Sequence, residues 1–204
     1  HPSQRTKFKC DLPGWSAAKS LVSKAASLLK KATGCSGGAT VEVKKRIPLI
    51  SGLGGDSSDA ATTLRGLNQL WKLGLSQDEL LRLARQLGSD VSFFLYGGTA
   101  LIEGKGEKVT PLPPLSPAWA VLMIPPVSRP PEKTKKLYES LAVTHYSDGQ
   151  ITQRLLKRLK EGRQFTPALL FNTFENVAFN YFVGLGQYRE HIMKMGVRGV
   201  HLAG

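Results

Sequence analysis

Between Gly52 and Ala61 the chain reads Gly-Leu-Gly-Gly-Asp-Ser-Ser-Asp-Ala-Ala. Glycines packed this closely let the backbone enter left-handed angles that other residues avoid. Behind them Ala60, Leu64, Leu67 and Trp71 recur at helical spacing as far as Gly74. Ahead of them, residues 40–46 alternate Val41 and Val43 with charged side chains, as a strand exposed on one face does, and Pro48 closes it. The order is therefore strand, glycine loop, helix. A helix that opens from such a loop presents N–H groups it cannot bond itself, and its dipole favours an anion there. The segment is physically a phosphate cradle, to which Ser57 and Ser58 add hydroxyls. It is neither a Walker A sequence, since no Gly-Lys-Ser/Thr is present, nor the dinucleotide-binding pattern. A tight turn that needs only positive φ angles explains a lone Gly-Leu-Gly-Gly equally well, so the neighbours must decide.

The rest of the chain mixes helical and extended patterns. Leu21, Ala25, Leu28 and Leu29 predict an amphipathic helix within residues 16–31 that ends at Gly34. Ser76 with Glu79 forms a capping box before the apolar stripe Leu80, Leu81, Leu83, Ala84 and Leu87. Ser89-Asp90-Val91 can cap a short helix, and Gly97-Gly98 leads into a hairpin of residues 99–103 and 107–109. Residues 118–124 are apolar between Pro117 and Pro125 and predict a buried strand. Pro125, Pro126, Pro130 and Pro131 then mark a loop or domain junction. Helices are expected over 132–141, 151–161 and 172–195, which suggests lobes of residues 1–124 and 125–204.

With 204 residues and 41% hydrophobic composition there is enough chain for one large or two small cores, which excludes collagen-like and disordered classes. Cys10 and Cys35 are too few for a disulfide scaffold and lack metal-ligand spacing, so a cytoplasmic setting is expected. No apolar run reaches the length of a bilayer span, and no membrane partner is expected. The formal charge of +13 suggests a polyanion. Residues 1–50 hold ten Lys and Arg against Asp11 and Glu42, and a second cluster comprises Arg154, Lys157, Arg158, Lys160 and Arg163. Neither interleaves aromatics with charge as a single-strand-binding surface does. No nucleic-acid partner is expected; a solvated basic face or a small phosphorylated ligand accounts for the charge.

Lys45-Arg46-Ile47-Pro48, the 52–61 loop, Leu67-Asn68-Gln69-Leu70-Trp71, the block Leu-Gly-Ser-Asp-Val-Ser-Phe-Phe-Leu-Tyr-Gly-Gly-Thr-Ala over 87–100, and Gly104-Lys105-Gly106-Glu107 together carry a resemblance. The chain resembles the 4-diphosphocytidyl-2-C-methyl-D-erythritol kinase family, a branch of the galactokinase, homoserine kinase, mevalonate kinase and phosphomevalonate kinase superfamily. The likeness runs from about Asp11 to Gly204 and includes Ser20 to Ala26 and Asn172-Thr173-Phe174-Glu175. It implies an α+β fold of two lobes. The N-terminal lobe would be like the second domain of ribosomal protein S5, with a left-handed βαβ crossover, and the C-terminal lobe ferredoxin-like. It implies transfer of the ATP γ-phosphoryl group to the 2-hydroxyl of diphosphocytidyl-methylerythritol, with Mg2+, by a monomer or homodimer. Gly52, Leu53, Gly54, Gly55, Asp56, Ser57 and Ser58 would hold the phosphates, with Ser58 near the metal. Asp90 would be the catalytic base, in place of an N-cap role. Lys45 and the region of Ser20 would flank the adenine. Phe171 and Asn172 lie where the family's second lobe approaches the cytidine. His191 and His201 read as isolated, Thr134 and Tyr138 carry no assigned chemistry, and Trp71, Phe93 and Phe94 read as core.

The chain also departs from the family's pattern. The family's first strand, with a Lys that pairs with the catalytic Asp, and its Gly-Tyr-His segment would precede His1. Its Gly-Ser-Gly-Pro-Thr loop would begin at Gly204. Asp56 stands in place of a glycine, Ser92 in place of a proline, Ser20 in place of Asn, and Leu49-Ile50-Ser51 in place of a more glycine-rich approach. On that pattern the chain as it stands is incomplete, and unstable or inactive alone. Asp56 is expected to face solvent or the metal, because a carboxylate about 4 Å from a phosphate oxygen is repelled by roughly 1 kcal/mol per charge pair even in water. The competing readings are another kinase of the superfamily, such as homoserine or mevalonate kinase, and a non-catalytic fragment whose basic face binds a polyanion.

Overall fold

The computed structural model describes residues 2–3, 5–49, 51–128, 132–163 and 166–203. Ile50, Pro130, Pro131 and Gly204, all used in reading the sequence, lie outside them. The chain divides into two units, one reaching to Leu112 and the other running from Pro113 to Ala203.

The first unit opens with β1 (Pro2–Ser3) and β2 (Lys7–Cys10), which sit on either edge of β3 (Gly38–Val43). β2 runs parallel to β3, with Phe8 opposite Val41 and Cys10 opposite Val43, while β1 is antiparallel. Four residues of β2 are too few to show an alternation by themselves, and only the pairing with β3 makes the segment a strand. A parallel pair needs a crossover, which α1 (Leu21–Thr33) supplies. The helix starts later than Ser16 because Ser20 caps it, its side chain accepting from the Ser23 N–H at 3.1 Å. Residues 17–19 form a single 3-10 turn in front of it.

The glycine loop follows β3 and opens α2 (Gly55–Leu70), after which come α3 (Gln77–Leu87), α4 (Val91–Tyr96) and the hairpin β4 (Thr99–Glu103) and β5 (Lys108–Leu112). The capping box of α3 is formed: the Ser76 side chain accepts from the Glu79 N–H, and the Glu79 carboxylate accepts from the Ser76 N–H at 2.8 Å. Leu29, Leu64, Ala84 and Val91 are fully buried at the centre of one core built from α1 to α4. Trp71 lies against this core and donates its indole N–H to the Gly38 carbonyl, which ties the end of α2 to β3.

The second unit holds α5 (Lys133–Glu139), α6 (Gln150–Lys160), α7 (Glu175–Tyr181) and α8 (Leu185–Lys194). The helix expected over 172–195 is broken. Phe182 leaves helical angles to bury its ring with Leu137, Val177 and Ala178, and Gly184 restarts the chain in the left-handed region. The buried strand expected over 118–124 does not form: these residues belong to no regular element and are exposed, with Trp119 and Val121 standing in solvent. Pro113, Pro114, Pro117 and Pro125 lack ladder donors, and no described strand lies alongside to pair with it. The class is α+β.

Candidate active site

Strand β3 delivers Lys45 to the mouth of the glycine loop. The end of β2 fixes its position, since Asp11 accepts the Lys45 N–H at 2.8 Å while the Asp11 N–H donates to the Val43 carbonyl at 3.3 Å. The loop itself turns through Gly52 (φ 75°) and Gly54 (φ 69°), and Gly54 caps α2. Gly54 has two reasons to be glycine. Its angles are left-handed, and a Cβ there would meet the Phe94 ring at 2.5 Å. One turn after Asp90, α4 thus lays an aromatic ring on the backbone of the loop.

Of the residues expected to hold phosphate, some have their polar groups engaged. Ser58 donates its N–H to the Gly54 carbonyl and its hydroxyl to the Gly55 carbonyl, each at 2.8 Å. The Leu53 N–H points at the Ser51 hydroxyl oxygen, 3.4 Å away. The N–H groups of Gly55, Asp56 and Ser57 occupy the first turn of α2, where the helix offers no acceptor. They border a depression of about 140 Å³ whose wall also includes Lys45, Ile47 and Pro48.

Asp56 faces solvent for the most part and is at the same time paired with a cation. It hydrogen-bonds the Lys45 ammonium through Oδ1, and Asp59 Oδ2 lies 2.5 Å from the same Nζ. The Lys45 side chain is only 7% exposed, against 60% for Asp56 and 29% for Asp59. Burial pulls the Lys45 ammonium toward losing its proton, but the hydrogen bonds and charges of the two carboxylates together outweigh it and raise its pKa above the ordinary lysine value. A raised pKa means that the charged form, and whatever stability it contributes, persists until pH climbs through that raised value. Lys45 is therefore cationic across the whole neutral range. Its head group meets the first turn of α2. Asp59 escaped the sequence reading, although its place one turn beyond Asp56 was the signal that both carboxylates share a face.

Asp90 occupies the N-cap position of α4 without acting as one. Its backbone is helical (φ −83°, ψ −16°), its side chain makes no cap hydrogen bond, and the residue is exposed. The hairpin holds the preceding residue in place. Gly106 (φ 90°) comes so close to Ser89 that a Cβ would collide with the Ser89 carbonyl oxygen, and Arg85 donates to the Glu107 carbonyl at 2.5 Å. Next in line, Ser92 is fully buried and its hydroxyl finds no hydrogen-bond partner among the described residues.

Within the second unit, Phe171 and Asn172 line a separate cavity of about 450 Å³ together with Tyr138, Tyr146, Phe174 and His201. Asn172 is fixed at both ends, donating to the Leu202 carbonyl at 2.9 Å and accepting from the Phe174 N–H at 3.0 Å. His201 is not isolated as its sequence surroundings suggested: its Nδ1 lies 3.2 Å from Glu175 Oε1, which also accepts the Leu202 N–H at 2.8 Å. Glu175 sits 26 residues from His201, so only the fold reveals the pair.

The GHMP kinases N terminal domain model matches residues 20–98, which span α1 through α4 and the loop. A 4-diphosphocytidyl-2-C-methyl-D-erythritol kinase from Dehalococcoides mccartyi is 45% identical over 203 residues, which cover 100% of this chain and 71% of the relative. The chain belongs to the 4-diphosphocytidyl-2-C-methyl-D-erythritol kinase family. A second family member, from Shouchella clausii, is 39% identical over 88% of this chain and 60% of its own length. A crystal structure of 4-(cytidine 5'-diphospho)-2C-methyl-D-erythritol kinase superposes on this chain with a TM-score of 0.74 at 32% identity, covering 100% of it and 71% of the solved chain. Homoserine kinase from Cytophaga hutchinsonii shares the fold, with a TM-score of 0.58 at 19% identity over 87% of this chain and 65% of its own. No described helix is long and apolar enough to cross a membrane.

Proposed function

We propose that this chain works as a small-molecule kinase of the cytoplasm that moves the γ-phosphoryl group of ATP to the 2-hydroxyl of 4-diphosphocytidyl-2-C-methyl-D-erythritol. The observation that carries the reading is the contact of Phe94 with Gly54, which joins the helix of Asp90 to the anion-accepting turn of α2. Phosphoryl transfer asks little covalent chemistry of a protein; it needs donors on the phosphate oxygens and an oriented acceptor. The N–H groups of Gly55, Asp56 and Ser57 act as those donors, assisted by the positive end of the helix dipole. Asp90 carries an exposed carboxylate spared from capping, so it is available to accept the proton of the attacking hydroxyl.

Magnesium fits this site only as a companion of the nucleotide. No group of three His, Cys, Asp or Glu side chains able to hold a metal occurs among the described residues. The Ser58 hydroxyl, donating its proton to the Gly55 carbonyl, keeps its lone pairs free as a single protein ligand. When bound, the ion supplies positive charge at the β and γ oxygens. The 450 Å³ cavity falls in the range of small-molecule sites, and its aromatic walls with the fixed Asn172 suit the cytidine of the acceptor.

The test is a coupled assay of ADP release that depends on both ATP and the diphosphocytidyl acceptor, run on the chain and on Asp90→Asn. General-base removal costs about 10²–10⁴ in kcat, and nucleotide affinity should be unchanged. ADP release that ignores the acceptor, or full activity in the Asp90→Asn variant, would sink the assignment.

A further inference from the structure

A carboxylate in the first turn of a phosphate-binding helix is an obstacle, since it sits among the N–H groups that must accept an anion. Asp56 is in that position, and Asp59 follows one turn later. Both reach the same buried ammonium. That ammonium is itself anchored from outside the loop, through the Lys45 N–H bonded to Asp11.

We propose that Lys45 is a positioning residue. By drawing Asp56 and Asp59 onto one flank of α2 and cancelling one of their charges, it keeps the N–H groups of Gly55, Asp56 and Ser57 open to the anionic end of a nucleoside triphosphate. The proposal rests on the phosphate-binding reading of the loop, and it assigns Lys45 an action through Asp56 in place of direct contact with the nucleotide. The carboxylate is harmless because it comes with a dedicated counter-ion.

The experiment is calorimetric titration of ATP with magnesium into the full chain and into Lys45→Met, Asp56→Asn and the double variant, at low and high salt. Asp56→Asn changes only an exposed side chain and keeps the backbone N–H that faces the phosphates, and it is expected to bind ATP up to about threefold better by losing a repulsive charge. Lys45→Met is expected to weaken ATP on the order of tenfold at low salt, with a smaller loss at high salt where exposed charges are screened. Made on top of Asp56→Asn, the same Lys45→Met change should cost clearly less than it does in the parent, since only Asp59, one turn further from the Gly55, Asp56 and Ser57 N–H groups, is then left without its counter-ion. Equal losses with and without Asp56→Asn mean that Lys45 grips the nucleotide itself, and the proposal fails. A tenfold weakening by Asp56→Asn alone also overturns it, and that variant decides the matter should Lys45→Met not fold. A parent chain with no ATP affinity overturns the phosphate reading as well, which separates the two failures.

Discussion

Replacing Ser92 by alanine should make this protein more stable, which is the reverse of the usual result for a core substitution. The Ser92 side chain is fully buried and its Oγ has no hydrogen-bond partner among the described residues. An unpaired buried hydroxyl costs about 1–3 kcal/mol relative to its hydrated state. Alanine is also the better helix former, by a few tenths of a kcal/mol. Against this, removing one oxygen leaves a void of roughly 10 Å³, which at about 24 cal/mol per Å³ returns about 0.2 kcal/mol. The balance is about 1–3 kcal/mol in favour of Ser92→Ala, and each kcal/mol raises Tm by about 4–8 °C for a domain near 100 residues. Thr63, the other buried hydroxyl of the core, is a control with the opposite sign. It donates to the Asp59 carbonyl at 2.7 Å, so Thr63→Val, which keeps the shape and removes the bond, should lower Tm by about as much as one hydrogen bond is worth. Thermal unfolding followed by circular dichroism reads both. A Tm for Ser92→Ala equal to or below that of the parent would show that the hydroxyl is paired and that the reasoning is wrong.

Gly106→Ala should dislodge the hairpin from Ser89, because its Cβ has no room and its φ of 90° strains any side chain; kcat in the coupled assay should fall at least tenfold while ATP affinity in calorimetry holds. Leu64→Ala removes a fully buried side chain of α2 from the core of the first unit and should cost about 2–5 kcal/mol in urea unfolding. The Ser76 backbone N–H and then its hydroxyl hold the Glu79 carboxyl below its ordinary pKa. The stability it adds is complete above the unfolded value and disappears as pH falls through the lowered one. The Tm gap between parent and Glu79→Ala should therefore be widest near neutrality and should narrow only as pH falls below the range where free glutamate titrates.

Much of this was legible because it is local. The capping box, the hairpin and the strand-loop-helix order each depend on residues within a few positions of one another, and each forms where the pattern placed it. The misread segments needed knowledge of distant partners. Residues 118–124 have the apolar content of a strand, yet no described chain lies alongside, whereas the nondescript Lys7–Cys10 becomes one by pairing with β3. The site divides the same way. The loop and Asp90 carry motifs, while the meeting of Lys45 with Asp56 and Asp59 depends on the angle at which β3 passes the first turn of α2. Phe94 on Gly54 and Glu175 on His201 are equally invisible before the chain folds.

The bond from the Lys45 N–H to Asp11 spans 34 residues and depends on the parallel pairing of β2 with β3 across α1. Contacts so far apart along the chain close slowly, after nearby helices have found one another. The sequence from α2 to β5 can organise from neighbouring segments, whereas the counter-ion of the phosphate loop arrives only once the N-terminal strand has docked. During refolding, burial of the helical core should therefore precede the ability to take up nucleotide. The interval between the two reports the docking of a single four-residue strand.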